Sequence, residues 1–323
     1  MNFAILGHLM YEGQAEQMPQ DWIRDNLVVS PQFSFDGTKG NLIALKLSAK
    51  QMMEMPIEQV RQKVLNAAVF AQDEFGAEII QLGALTTSVT SGGKWLIEQK
   101  EYTGYANHGD SYTAAVTCHA VLKAINLAGF QPSRLNLAIV GAYGVIGEAV
   151  SRILVPQFGH SILIGRKAEK FEKLEKELTG NYETTTDLKT KEADIIVTAT
   201  NHPTALLKSE HLRENAIVVD VSQPPNVSPE LCKQRPDIIR IDGGFVDFPV
   251  KYDLGIPGMP KGKNFACIVE VIMQALENEK ANHVGSIDLN HLMKTEKWAR
   301  KYGFILNELT NFGMPITIQK EAR

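Results

Sequence analysis

Residues 135–154, LNLAIVGAYGVIGEAVSRIL, constrain the fold of this chain more than any other stretch. The apolar run Leu137, Ala138, Ile139 and Val140 reads as a strand buried on both faces. It runs directly into Gly141, Gly144 and Gly147, and then into the helical pattern Ala149, Val150, Ile153 and Leu154. A strand, a glycine-rich turn and a helix in immediate succession make a phosphate site. The glycines allow a tight turn and close backbone approach, while the helix start offers free N–H groups and a positive dipole end to an anion. The spacing is GxxGxxG rather than GxGxxG, so the strand–turn–helix context carries the reading.

The text after this turn repeats the same grammar. A second strand at 161–164 closes on Gly165-Arg166-Lys167. At this place an NAD site puts a carboxylate on the ribose 2′-hydroxyl, whereas an NADP site needs cations for the 2′-phosphate. Arg166 and Lys167 stand there and no carboxylate comes before Glu169, so the cofactor read from the sequence is NADPH. The lysines and glutamates alternating from Glu169 to Glu177 form a solvated helix face with i,i+3 and i,i+4 pairs. A further strand at 193–197 leads into Thr198, Ala199 and Thr200, and two more, 217–219 and 238–241, end at Asp220 and Asp242. Ligands of open α/β sheets bind beyond the carboxyl ends of the strands, which places Thr198–Thr200 along the nicotinamide side.

The fold class is therefore α/β. We expect a Rossmann-type doubly wound parallel sheet plus a smaller α/β substrate domain, closed by a C-terminal helical segment. The divisions fall at 1–128, 129–262 and 263–323. In the first part, residues 3–6 read as a strand followed by a loop, Gly7-His8-Leu9. His8 there suits either a site or a structural hydrogen bond. Short strands at 26–29 and 42–47 precede a helix from Pro56 with Val60, Val64, Leu65, Ala68 and Val69 on its apolar face. A strand from Ile79 ends at three hydroxyls, Thr86, Thr87 and Ser88, which suit either a ligand's polar group or ordinary turn and cap duties. Ser111 or Thr113 is then placed to cap a helix whose apolar side includes Cys118, a packing cysteine. His108, Asp110 and Ser111 precede that helix, where a cleft between domains could use them.

Composition excludes several classes. A chain of 323 residues, 44% hydrophobic, buries a large core, and a net charge of −4 gives no general attraction to nucleic acid or anionic membranes. No apolar run approaches the ~20 residues that span a bilayer. The N-terminus lacks a basic n-region and reads as a strand rather than a signal peptide. The three cysteines, Cys118, Cys232 and Cys267, are too scattered for a disulfide framework or a clustered metal site. These features fit a reduced, cytoplasmic protein. Cys267 differs from the other two. It falls in the first turn of a helix with Ile268, Val271, Ile272, Ala275 and Leu276 on its apolar face, after Lys261 and Lys263. A helix N-terminus and ammonium groups would lower a thiol's pKa and favour a nucleophile. From the residues alone, packing and catalysis both stay open.

Several stretches together resemble the long-chain acyl-(acyl carrier protein) reductases of cyanobacterial type. They are ILGHL at 5–9, LGALTTS at 82–88, GDSYTAAVTC at 109–118, VGAYGVIGEAV at 140–150, ADIIV at 193–197, GGFV at 243–246 and FACIVEV at 265–271. The segment 14–54 lies outside the resemblance, and Ala142-Tyr143-Gly144 stands where the family commonly has alanine-threonine-glycine. The resemblance implies that Cys267 takes the acyl group from a carrier thioester and that NADPH then reduces the acyl-enzyme to an aldehyde. The substrate would be a fatty acyl thioester delivered by acyl carrier protein or coenzyme A.

On this reading Gly141, Ala142, Tyr143, Gly144, Val145, Ile146 and Gly147 cradle the pyrophosphate, and Arg166 with Lys167 reads the 2′-phosphate. Thr86, Thr87, Ser111 and Thr113 face the acyl chain, and no metal takes part. Two rivals remain. One resembles shikimate dehydrogenase and reduces a small carbonyl compound without a covalent intermediate. The other is a silent NADP(H)-binding module that acts through partners.

Overall fold

The computed structural model describes residues 1–9, 11–202, 204–249 and 260–318. Two sheets carry it. The first is seven-stranded and is built from β1 (Phe3–Leu9), β2 (Ile23–Arg24), β3 (Leu27–Val29), β4 (Phe33–Phe35), β5 (Thr38–Ser48), β6 (Ile79–Leu82) and β7 (Tyr105–Asn107). Its parallel core runs β5-β1-β6-β7, and β3 and β4 pair antiparallel with β5. The residues expected as a loop after the first strand, Gly7, His8 and Leu9, instead continue β1 alongside β5. Pairing with an 11-residue neighbour keeps their backbone in the ladder despite the glycine.

Alternation along β1 decides what covers the sheet. Ala4 and Leu6 face one side, where α1 (Ala49–Glu54) and the long α2 (Ile57–Phe75) bury Met52, Val60, Val64, Leu65 and Ala68 against them. Phe3 and Ile5 face the other side. That face is covered after α3 (Leu85–Val89) and α4 (Lys94–Ile97) by α5 (Asp110–Ala128), 13 of whose 19 residues are buried. Alanines at 114, 115, 120 and 124 let α5 lie between the two halves of the molecule and share one core with both.

The second sheet holds β8 (Asn136–Val140), β9 (His160–Ile164), β10 (Tyr182–Thr185), β11 (Ile195–Thr198), β12 (Ile217–Asp220) and β13 (Ile239–Asp242). The order β10-β9-β8-β11-β12-β13 is all parallel and reverses direction of build-out at β8. This is the 3-2-1-4-5-6 arrangement of a Rossmann domain. Leu137 and Ile139 pack toward α5 and α6 (Val145–Leu154), while Ala138 and Val140 pack toward Leu207, Leu212 and Leu231. Two short helices, α7 (Phe171–Glu175) and α8 (Pro229–Gln234), follow β9 and β12.

After β14 (Phe245–Asp247) and its antiparallel partner β15 (Lys263–Phe265), the chain returns to the first sheet. Helix α9 (Ala266–Leu276) buries Val269, Val271, Ile272 and Met273 in the same core as Phe3 and Ile5, and α10 (Leu289–Tyr302) packs on α5 and α9. The C-terminal helices thus finish the covering of the first sheet. Among the described residues no helix is long and apolar enough to cross a membrane.

Candidate active site at the carboxyl edges of both sheets

Strand register puts one row of residues level across the second sheet. Ile164 pairs with Val140, Val140 with Thr198, Thr198 with Asp220, and Asp220 with Asp242. Everything just beyond that row, namely Gly165-Arg166, Gly141, Ala199, Ser222 and Gly243, lies along one edge.

The glycine turn is made by backbone. Gly141 sits at φ +88, and a Cβ there would come within 2.3 Å of the Ala199 carbonyl oxygen. A Cβ on Gly147 would meet the Gly141 carbonyl oxygen at 2.1 Å. Only glycine fits either position, so helix α6 starts hard against the end of β8. Gly144 caps that helix without a side-chain bond, and the N–H groups of Val145, Ile146 and Gly147 open it, where an α-helix has no intrahelical acceptor. That concavity of donors, closed to side chains and open to an anion, fits the pyrophosphate of a dinucleotide. Thr200 Cγ2 would lie 3.2 Å from a Cβ on Gly141, so the Thr198–Thr200 loop packs directly on the turn. Thr198 itself is buried and donates to Asp220 Oδ1 at 2.7 Å, and Thr200 donates to Asn226 Oδ1 at 2.7 Å.

At the end of β9, Arg166 and Lys167 are exposed, and among the described residues no carboxylate pairs with either. Tyr143 lies across this strand end. Its ring would collide with a Cβ on Gly165, its hydroxyl accepts from the Lys167 N–H at 3.0 Å, and its edge meets Phe171. Lys170 and Lys173 are occupied elsewhere, over the Tyr143 ring and beside Glu148.

Cys267 lies where the two sheets meet. The Ala266 N–H donates to the Gly244 carbonyl at 2.8 Å, tying the start of α9 to the turn after β13. On its other side, a Cβ at Gly109 would fall 2.4 Å from the Cys267 carbonyl oxygen and 2.6 Å from its Cβ. Gly109 is in the left-handed region at φ +73 and caps α5, so neither Ser111 nor Thr113 serves as the cap expected from the sequence. Thr113 instead donates to the Gly109 carbonyl at 2.9 Å from inside the helix, and Ser111 is buried in its first turn.

The electrostatics of this corner reverse the expectation for the thiol. Burial, then the neighbouring Asp110 and Glu270 carboxylates, push the Cys267 pKa up to about 12 against the bonds offered by the helix start. Lys263, expected to lower it, is spent on Asp247. Asp110 is itself raised to about 6 by burial, with His108 opposing and Glu270 adding to the rise. His108 Nδ1 accepts from the Asp110 N–H at 2.9 Å, and its Nε2 is buried without a partner. For Glu270 burial also acts upward, but the bond from His291, the His291 and His108 charges and the Tyr112 N–H bring it below the usual range.

The hydroxyl stretch after β6 meets the loop after β11 from the first sheet. Asn201 donates to Ser88 Oγ at 3.1 Å, bridging the two halves. Thr86 is fully buried and donates to the Gly83 carbonyl at 2.7 Å, and Thr87 donates to the Leu82 carbonyl at 2.7 Å. Their hydroxyl protons hold the turn, which is the cap duty rather than a ligand-facing one. His8 is likewise structural, with Nδ1 2.8 Å from the Leu9 carbonyl and Nε2 accepting from Leu85 N–H at 3.4 Å. Cys118 is buried, and its thiol is pushed strongly upward by that burial.

Comparison with known proteins agrees with the fold. A family model described as Shikimate / quinate 5-dehydrogenase matches residues 126–242. The chain is 26% identical over 316 residues to aminotransferase PigE of Serratia sp., a match covering 93% of this chain but spanning only 37% of that protein. It is 28% identical over 238 residues to a long-chain acyl-[acyl-carrier-protein] reductase of Synechococcus elongatus, covering 68% of each. Among solved structures, the nucleotide-binding domain of glutamyl-tRNA reductase from Thermoplasma volcanium matches at 18% identity and a TM-score of 0.30, covering 40% of this chain and 84% of that one. By its strand order and the dehydrogenase family model that matches it, the second sheet is a Rossmann-type domain of the NAD(P)-dependent oxidoreductase kind, and its dinucleotide is NADP(H).

Proposed function

We propose that this chain reduces a fatty acyl thioester to a fatty aldehyde at the expense of NADPH, through an acyl group held on Cys267. The observation that carries the reading is the position of that thiol. It is the one cysteine of three that sits at the junction of the two carboxyl edges, packed on Gly109 and one residue from the bond to Gly244. The similarity to an acyl-[acyl-carrier-protein] reductase supports the same substrate class.

In the first half-reaction Cys267 Sγ attacks the thioester carbonyl, its proton leaves, and the carrier departs as a thiolate that takes a proton from solvent. With the thiol raised to about 12, a resting thiolate is scarce, so the proton must be removed as the C–S bond forms. Asp110, charged above about pH 6 and near enough to raise the thiol electrostatically, is the group we assign to receive it. Free N–H groups at the start of α9 stabilise the oxyanion. NADPH, when bound, supplies the hydride that the acyl carbon takes up. The resulting hemithioacetal oxyanion expels the cysteine, releasing aldehyde, and Asp110 returns the proton to sulfur. One NADPH and one proton are consumed per aldehyde. Gly141 to Gly147 hold the pyrophosphate, Arg166 and Lys167 the 2′-phosphate, and Thr198 to Thr200 the nicotinamide side. Acyl carrier protein or coenzyme A serves as the carrier.

The test is incubation of the purified chain with palmitoyl thioester, with and without NADPH. An acyl adduct on the tryptic peptide containing Cys267, discharged as aldehyde when NADPH is added, is the expected result. Absence of both overturns the reading. The raised thiol pKa favours a second reading, in which a small carbonyl compound is reduced directly and Cys267 only packs. A Cys267→Ser chain that keeps full reductase activity would establish it.

A further inference from the structure

Beyond α9 the chain carries a second cluster of chemically capable side chains. Glu279 follows the helix, and His283 lies in an extended stretch that adds to the edge of the first sheet. Its N–H donates to the Ala106 carbonyl at 2.8 Å, and its carbonyl accepts from His108 N–H at 3.1 Å. The intervening turn is fixed by Gln274, whose amide donates to the Glu279 and Ala281 carbonyls at 3.1 and 2.8 Å. His291 stands in the first turn of α10. One donor atom from each of Glu279, His283 and His291 lies within 4.8 Å of the others. His283 Nε2 is 3.2 Å and His291 Nδ1 4.0 Å from the same oxygen, Glu279 Oε2, and the two rings stack with centroids 3.3 Å apart.

The bonding of His291 leaves an unanswered group. Its side chain is 5% exposed, and Nε2 sits 3.0 Å from Oε1 of the fully buried Glu270. A hydrogen on Nε2 satisfies that carboxylate and leaves Nδ1 with a lone pair. Nδ1 is buried and has no partner, and what faces it is the acceptor Glu279 Oε2. With Nδ1 unprotonated, two acceptors confront each other in a largely buried place, an arrangement that costs free energy until a cation, a proton on Nδ1 or a metal ion, lies between them. Lys294 bonds the other oxygen of Glu279, so Oε2 stays directed at the histidines.

We propose that Glu279, His283 and His291 form a binding site for a transition-metal ion of the zinc class. Two imidazoles and one carboxylate suit zinc or cobalt and disfavour magnesium or calcium, which take oxygen ligands. Tetrahedral zinc holds its nitrogen and oxygen ligands about 3.3 Å apart. His283 Nε2 already stands 3.2 Å from Glu279 Oε2, whereas His291 Nδ1, at 4.0 Å, has to close in and the stacked rings have to turn out of parallel on binding. Glu270 behind His291 completes the carboxylate–histidine–metal arrangement that fixes ring orientation. The ion would clamp the edge strand β7, the end of α9 and the start of α10. Through His291 and Glu270, which accepts from Tyr112 N–H at 2.7 Å, it would also brace the first turn of α5. The site stands independently of the reaction proposed for Cys267.

Its test uses the full chain stripped with chelator and dialysed against cobalt(II), read by visible absorption and metal analysis. One equivalent of cobalt with d–d bands and no thiolate charge-transfer band, displaced by zinc and accompanied by a higher melting temperature, is the expected result. Glu279→Gln and the less buried His283→Asn should each lower affinity by at least tenfold, and Glu270→Gln by roughly 10–100-fold. If a variant fails to fold, the spectrum of the parent chain still decides. No bound cobalt, bands unchanged in His283→Asn, or a thiolate band lost in a cysteine variant would each overturn the site.

Discussion

The glycine turn and the thiol corner both stand beyond the carboxyl ends of strands but are made in opposite ways. The turn is a local device of backbone. Seven consecutive residues supply its shape, and what it offers an anion is N–H groups at a helix start. The thiol corner is assembled from side chains distant in sequence, Asp110 and Gly109 from the start of α5 with Cys267 and Glu270 from α9. A backbone site tolerates changes in side-chain chemistry but not in volume. A side-chain site tolerates small changes of volume but not of charge.

Four substitutions probe that contrast. Cys267→Ser should cut thioester reduction by roughly 10³-fold or more while NADPH binding by fluorescence stays unchanged. An equal loss of cofactor binding would mean that the two regions are not separable. Gly147→Ala strikes the other side, since its Cβ would lie 2.1 Å from a backbone oxygen. It should destabilise the chain by about 1–3 kcal/mol in urea melts and weaken NADPH binding, yet leave alkylation of Cys267 as in the parent.

Asp110→Asn sharpens the electrostatic half. Removing the carboxylate charge lowers the thiol pKa, so alkylation of Cys267 at pH 8 should quicken while acyl transfer slows. Because Asp110 titrates near 6 when folded, above its ordinary value, its ionisation weakens the fold as pH rises through that point. The asparagine variant should therefore gain on the order of 2 kcal/mol above pH 6, discounted for partial exposure, and nothing near pH 3. An unchanged pH profile of stability would remove Asp110 from the corner. Arg166→Ala should have the smallest effect, roughly a tenfold weaker Kd for NADPH, or about 1.4 kcal/mol, with NADH affinity unaltered.

What was legible in the sequence follows from how each feature is encoded. Five of the six strands of the Rossmann half could be read because buried parallel strands are continuous apolar runs closed by turns, with the glycines and Arg166 at strand ends by sequence position alone. The edge strand β10, Tyr182–Thr185, is half-buried and polar and gave no such run. The meander of β2 to β4 was harder to place, since two- and three-residue strands carry too few alternations to set their pairing. Likewise, Gly7 to Leu9 look like a loop until a long neighbour holds them in the ladder.

The sequence by itself determined that a glycine turn joins a buried strand to a helix start and that a cysteine opens a helix. Both depend on neighbours a few residues away. Only the tertiary structure decided the state of that cysteine. Helix start and lysines argue for a low pKa, but burial against Asp110 and Glu270 outweighs them, and Lys263 is drawn off by Asp247. Desolvation and charge act through space across whatever the fold brings near, and no spacing along the chain records them.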